Sequence, residues 1–285
     1  MSQVALSAPR SHVRLRMSSG APITPSRRTL RSAAFGALSL AACLAAWAAA
    51  TQVNLDLGFV TFRNVPSPAE VLKGGWDFLT SREAGQHLGA SVYRVLAGFA
   101  LAALAGVSLG LLAGRIRAAR DLAMPPLEIL RPIPAVSWIP LAILMFRSSE
   151  GSMIFITFIG ALFPILLNTI HGAEGVDGRL IASARSLGAK PPAILAEVVL
   201  PAALPSIVTG LVIGMGTSWF CLVTAEMISG RFGVGYYTWK SYVVQDYPGT
   251  VVGMILIGLL GLASSAVVRR AGDALTRWRT AGSAR

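Results

Sequence analysis

The residue types from which active sites are built are sparse in this 285-residue chain. Its histidines, His12, His87 and His171, are scattered, and Cys43 and Cys221 each sit inside an apolar stretch. That pattern supplies neither a disulfide framework nor metal-ligand spacing. Gly106-Val107-Ser108-Leu109-Gly110 matches the G-x-S-x-G pattern of a nucleophile elbow. The elbow needs a strand before its serine and a histidine and carboxylate as partners. Here the serine lies in the middle of an apolar run, so the match is rejected. A phosphate-binding G-x-x-x-x-G-K-[ST] loop is excluded as well, because Lys73, Lys190 and Lys240 all follow residues other than glycine. The chain offers no catalytic residues, no metal site and no cofactor, and does not read as an enzyme.

What remains is charge and proline set against apolar surroundings. Arg94 and Glu226 stand at the outer ends of two apolar runs, and Arg131 stands at the edge of a third. Ionisable groups at such positions are costly and often functional, although at a boundary they also reach water. Pro132, Pro134 and Pro140 interrupt the third run, and Pro125 and Pro126 precede it. Each proline removes a backbone donor and frees a carbonyl. Broken helices are tolerated in a membrane where they face protein or a water-filled cavity. Arg94, Arg131, Pro132, Pro134, Pro140 and Glu226 are therefore the candidates for a solute pathway. A kinked packing helix is the plainer alternative.

The elements that must position these residues follow from composition. Hydrophobic residues make up 54% and charged residues only 13%, with a net charge of +12. A soluble domain carries about 25% charged residues, so one water-soluble globule is excluded. Six runs are long enough to cross a hydrocarbon core as helices: 33–50, 95–113, 129–146, 153–170, 207–225 and 251–268. Continuous apolar runs rather than alternating ones favour helices over a barrel. If the N-terminus is cytoplasmic, 17 of the 25 cations fall on inside segments and six outside, with Arg94 and Arg131 at span edges. That bias places both termini in the cytoplasm. It also removes nucleic acid as a partner.

This reading divides the chain into a flexible basic tail (1–32), a first transmembrane helix (33–50), a periplasmic segment (51–90), a core transmembrane domain (91–268) and a second basic tail (269–285). The Arg-rich head, Ala-rich run and small residues at Ala48–Ala50 also match a cleavable leader. The 18-residue run exceeds the usual signal core, which favours an uncleaved helix. Small residues recur every fourth position at Gly98, Ala102, Gly106, Gly110 and Gly114, and again at Gly210, Gly214 and Ser218. Such stripes let backbones approach closely, within the chain more readily than between copies.

The inside loop 171–206 carries the most information. Arg179–Leu187 reads as a helix with Leu180, Ala184 and Leu187 on one face. Gly188 is a helix C′ residue permitting a sharp turn. Pro191 and Pro192 suit the first turn of a second short helix with Ile194, Leu195, Val198 and Val199 as its apolar positions, and Pro201 ends it. Two short amphipathic helices at an angle form a rigid docking knob.

The spacing from Ala184 to Gly188, nine residues, then Val198-Val199-Leu200-Pro201 resembles the EAA loop of ABC importer permeases. Pro66-Ser67-Pro68, Leu130-Arg131-Pro132-Ile133-Pro134, Trp138-Ile139-Pro140-Leu141, Ala203-Leu204-Pro205-Ser206-Ile207, Ala225-Glu226-Met227-Ile228 and Gly233-Val234-Gly235 extend the likeness over about residues 60–280. Together they resemble the nitrate/sulfonate/taurine/bicarbonate branch. The resemblance implies an all-α integral membrane protein of six transmembrane helices with the type I ABC importer permease (MetI-like) fold. It implies a bacterial inner-membrane location and a permease for a small solute such as a sulfonate, taurine or nitrate. Its implied partners are cytoplasmic ATP-binding subunits, a periplasmic solute-binding protein and a second permease copy, besides membrane lipid. The coupling residues carried over are Arg179, Leu180, Ala182, Ala184, Arg185, Leu187, Gly188 and Ala189. The loop's opening glutamate would fall at position 182, where this chain has Ala182, leaving a dock based on shape with Arg179 and Arg185 supplying polar contact. The competing readings are a membrane-embedded enzyme, which the spans lack the His, Asp or Glu to build, and a secondary transporter or channel working without an ATPase.

Overall fold

The computed structural model describes residues 27–276. The outer parts of the two expected tails, 1–26 and 277–285, lie outside the described residues. The chain divides into two units, residues 1–49 and 50–285. The first holds most of α1 (Arg27–Gln52), which is apolar over Ala34–Gln52 and long enough to cross a bilayer. It begins six residues before the expected span, so 27–32 are helical rather than tail.

The second unit contains α2 (Pro68–Thr80), α3 (Ala84–Arg115), α4 (Arg117–Leu130), a 3-10 turn (Ala135–Trp138), α5 (Ile139–Met145) and α6 (Ser149–Glu174). It continues through α7 (Gly178–Ser186), α8 (Pro191–Ile194), a π-helical turn (Leu195–Val199), α9 (Leu200–Ser229), α10 (Val234–Val243) and α11 (Tyr247–Leu275). Local chemistry starts several of these. Ser67 and Glu70 form a capping box around Pro68, with the Ser67 N–H donating to the Glu70 carboxylate at 2.7 Å. Those bonds hold the Glu70 carboxyl below its ordinary range.

α6 is the central helix, and glycines decide how its neighbours meet it. A Cβ added at Gly98 or Gly110 would lie 2.6 Å from the Cβ of Thr157 or Thr169, and one at Gly114 2.7 Å from that of Ala173. Gly106 abuts Ile165 in the same way. The offset along the two helices is constant, so α3 and α6 run parallel and in register. The stripe therefore serves contact within the chain. Thr157 and Thr169 turn their hydroxyls back to Met153 O (2.8 Å) and Ile165 O (2.7 Å), leaving only methyls at the seam. On the other side Gly160 faces Cys221, Gly172 faces Ser206 and Gly210 faces Asn168, so α9 runs antiparallel to α6. α11 is antiparallel to α9 in turn, with the Trp219 indole N–H on Ser264 Oγ at 2.8 Å and Gly272 against Val208.

Parallel α3 and α6 require the chain between them to return across the membrane. The segment that does so starts well before the expected run 129–146 and is broken where prolines interrupt it. α4 and the 135–145 helix meet at 86° across residues 131–134. Pro132 and Pro134 remove donors at the break, and α5 has seven residues, about 10 Å of helix, too short to cross alone. Among the described residues, five helices are long and apolar enough to cross a membrane, and this bent pair makes a sixth.

A second difference lies before α9. Pro201 does not end a helix; it sits in the first turn of α9. The π turn accommodates it, because the Leu200 N–H reaches back five residues to Leu195 O. The widened turn lets helix run from Pro191 into the span despite the missing proline donor. At the far end α11 continues to Leu275, so Arg269 and Arg270 belong to a helix rather than to a tail.

Candidate functional site

Two groups of candidate residues lie at opposite ends of the bundle. At the α7 end, Asp177 caps the helix by accepting the Arg179 N–H at 2.9 Å. α7 closes on Gly188, whose φ of +83° is left-handed. There the Gly188 N–H donates to Arg185 O (2.9 Å) and the Ala189 N–H to Ala184 O (3.0 Å), which is a Schellman closure. Ile181 packs with Ala173, Val176, Ile194 and Val199 in a small core of its own, with Ala184 and Ala189 partly buried against it. The knob is therefore fixed at both ends and from beneath.

Its outward face carries two large leucines. Leu180 and Leu187 do not pack inward: Leu180 is 53% and Leu187 88% exposed. Ile181, one residue on, takes the buried place. Arg179, Ala182, Arg185 and Gly188 are exposed as well. Two large apolar side chains and two cations therefore stand exposed on one short helix.

At the α10 end, the structure brings Arg94 and Glu226 together. Neither reaches water, with exposures of 2% and 0%. α3 begins at Ala84, so Arg94 lies three turns inside the helix rather than at its tip. Its Nη1 donates to Glu226 Oε1 at 2.8 Å and to Phe232 O at 2.6 Å. Its Nε donates to Glu150 Oε2 at 2.8 Å, and Nη2 pairs with the other Glu150 oxygen. Glu226 also accepts from the Ser91 hydroxyl (2.8 Å) and the Gly235 N–H (2.9 Å), and Ser91 Oγ accepts the Val234 N–H at 2.8 Å. His87 Nδ1 lies 3.0 Å from Gly233 O.

Gly233 makes this closure possible. Its φ is +135°, and any side chain there would run into the Glu226 carboxylate. One cation thus pairs with two carboxylates, and the Ser91 hydroxyl and the Gly235 N–H complete the shell of Glu226. The network ties α3, α6, α9 and the turn into α10. Glu150, Ser91 and His87 were not among the sequence candidates. His87, Ser91 and Arg94 follow an i, i+4, i+7 pattern that runs straight into the Gly98 stripe, and that periodicity is the signal for them.

The bent segment touches both ends: Arg120 of α4 pairs with Glu174 near α7, and α5 packs beside Val95 and Ala225 at the other end. Arg131, Pro132, Pro134 and Pro140 are exposed. Ile139 and Ala142 pack in one core with Val95 and Ala225, the neighbours of Arg94 and Glu226. Trp138 Nε1 and Ser218 Oγ are buried with no hydrogen-bond partner among the described residues.

Comparison with known proteins places this architecture. A protein of Methanocaldococcus jannaschii assigned to the ABC transporter permeases is 45% identical over 190 residues, 66% of this chain and 71% of that protein. The nitrate import permease protein NrtB of Synechocystis is 35% identical, over 70% of this chain and 76% of its own length. A protein of Escherichia coli K12 assigned as the aliphatic sulfonates transport permease SsuC is 35% identical, over 81% and 88%. Among solved structures, the MetNI methionine ABC transporter in an inward-facing form matches with a TM-score of 0.48 and 21% identity, over 74% of this chain and 96% of that one. The model of the binding-protein-dependent transport system inner membrane components matches residues 106–280. The chain belongs to that family: it is a multi-pass membrane permease of the ABC transporters, a transport subunit rather than an enzyme.

Proposed function

We propose that this permease carries a small oxyanion, a sulfonate, taurine or nitrate, inward across the bacterial inner membrane, and that α7 with its Gly188 turn is where an ATP-binding subunit docks. Two copies assemble into one pathway, a periplasmic solute-binding protein delivers the solute, and both termini face the cytoplasm. Closure of the ATP-binding subunits brings the two docking knobs together and biases the spans between inward- and outward-open states, so one ligand acts on a site it does not touch. The likeness to nitrate and sulfonate permeases supports the solute class. The bent segment with Arg131, Pro132, Pro134 and Pro140 lines the pathway in this reading. Arg94 and Glu226 brace it from the side rather than touch the solute.

The observation that carries the docking role is the exposure of Leu180 and Leu187 on a helix capped at both ends and seated on its own core. The test is co-purification with the ATP-binding subunit and ATP-driven uptake in proteoliposomes. Leu180→Asp with Leu187→Asp should leave the permease folded and inserted while abolishing both. Uptake by this chain alone, without ATP or an ATP-binding subunit, would overturn the reading in favour of a self-sufficient transporter.

A further inference from the structure

We propose that the α7 end of α3 carries a binding site for one anionic phospholipid. Two cavities meet there and share Arg115 and Arg185. The first, about 620 Å³, is a basic cup lined by Arg115, Arg117, Arg120 and Arg185 beside Ala113 and Gly114. The second, about 290 Å³, is an apolar groove formed by Leu111, Leu112 and Ile116 on one wall and Ile194, Leu195 and Val199 on the other. No carboxylate lines either cavity. Arg120 pairs with Glu174. Arg115, Arg117 and Arg185 have no ion pair among the described residues.

Depth and shape select the occupant. α3 has 32 residues, about 48 Å of helix, so its ends reach past a hydrocarbon core of about 30 Å into the headgroup layer. Arg115 is its last residue, and the groove runs back from it along the apolar side. Basic pockets between spans at this depth suit anionic headgroups. A phosphodiester in the cup would be met by three uncompensated guanidiniums, and the first part of an acyl chain would fill the groove. A free inorganic anion has no use for the groove. Because Arg185 belongs to α7, the lipid would bear directly on the docking knob.

The experiment uses the delipidated full-length chain in neutral detergent, with bound lipid counted by native mass spectrometry. The probes are phosphatidylglycerol, phosphatidylcholine of the same acyl chains, and inorganic phosphate as competitor. Phosphatidylglycerol should be preferred at least tenfold, and millimolar phosphate should not displace it. Arg115→Gln, Arg117→Gln and Arg185→Gln should each weaken it about fivefold and together about a hundredfold. The triple lysine variant should keep most of the binding and guards against misfolding as the cause. Arg269→Gln with Arg270→Gln, on α11, should change nothing. Unchanged binding in the triple glutamine variant, or an equal loss in the α11 variant, would overturn the site. Displacement by phosphate would show a free-anion site instead, and displacement by the ATP-binding subunit a protein-docking patch; either defeats the lipid assignment.

Discussion

At the residue scale, the Arg94 network has a sharp energetic signature. Glu226 is fully buried and Glu150 is half exposed, so the two carboxylates depend unequally on the same cation. Removing the guanidinium leaves the buried Glu226 carboxyl held only by Ser91 and one N–H. Breaking a buried pair by deleting one partner costs about 3–5 kcal/mol, whereas replacing both partners is far milder. Arg94→Gln is therefore expected to lower the thermal unfolding midpoint of the detergent-solubilised protein strongly. Adding Glu226→Gln should restore part of that loss, because two amides can still bond to each other and to the Gly235 N–H. An Arg94→Gln protein as stable as the parent would show that the pair contributes nothing. The partnership is only half legible in the sequence. Both charges stand out against apolar runs, but their separation of more than a hundred residues conceals that they meet, and a span drawn by hydropathy alone starts too late to bury Arg94.

At the element scale, the legible features are those written in a fixed period. The four-residue stripe on α3 states which face is close-packed, and the structure answers with Thr157, Ile165, Thr169 and Ala173 at matching intervals. Two glycines on this one helix make the contrast testable. Gly110 has no room for a methyl group, while nothing lies within 4 Å of a Cβ at Gly89. Gly110→Ala should cost about 1–3 kcal/mol through overpacking. Gly89→Ala should be neutral or stabilise by up to about 1 kcal/mol, from helix propensity alone. Equal unfolding midpoints for the two variants would contradict the register of α3 on α6. Features without a period are harder to read. Leu180 and Ile181 are both apolar and adjacent, so composition cannot tell which faces inward; the core contributed by α6 and the π turn decides for Ile181. Pro201 looks like a helix end, yet the π turn before it supplies an alternative acceptor that no propensity rule anticipates.

At the scale of the whole molecule, helix direction and charge together set how the permease lies in the membrane. Parallel α3 and α6, with α9 and α11 alternating after them, put α7, Arg115–Arg120 and Arg269–Arg270 at one end, and α2, α10 and the Arg94 network at the other. Arg and Lys on the short segments decide which end stays in the cytoplasm, and here the α7 end carries the excess. The consequence can be read with single cysteines in a Cys43→Ser background, where the remaining native thiol, Cys221, is buried and silent. Leu72 on α2 is 77% exposed and Leu187 on the knob 88%, so burial masks neither position. With a membrane-impermeant maleimide on intact spheroplasts, Leu72→Cys should label at once, and Leu187→Cys only after permeabilisation. Because the α3–α6 register fixes the two sites on opposite faces, simultaneous labelling of both would refute the helix order. Labelling of Leu187→Cys alone would invert the orientation and remove the docking knob from any ATP-binding subunit in the cytoplasm.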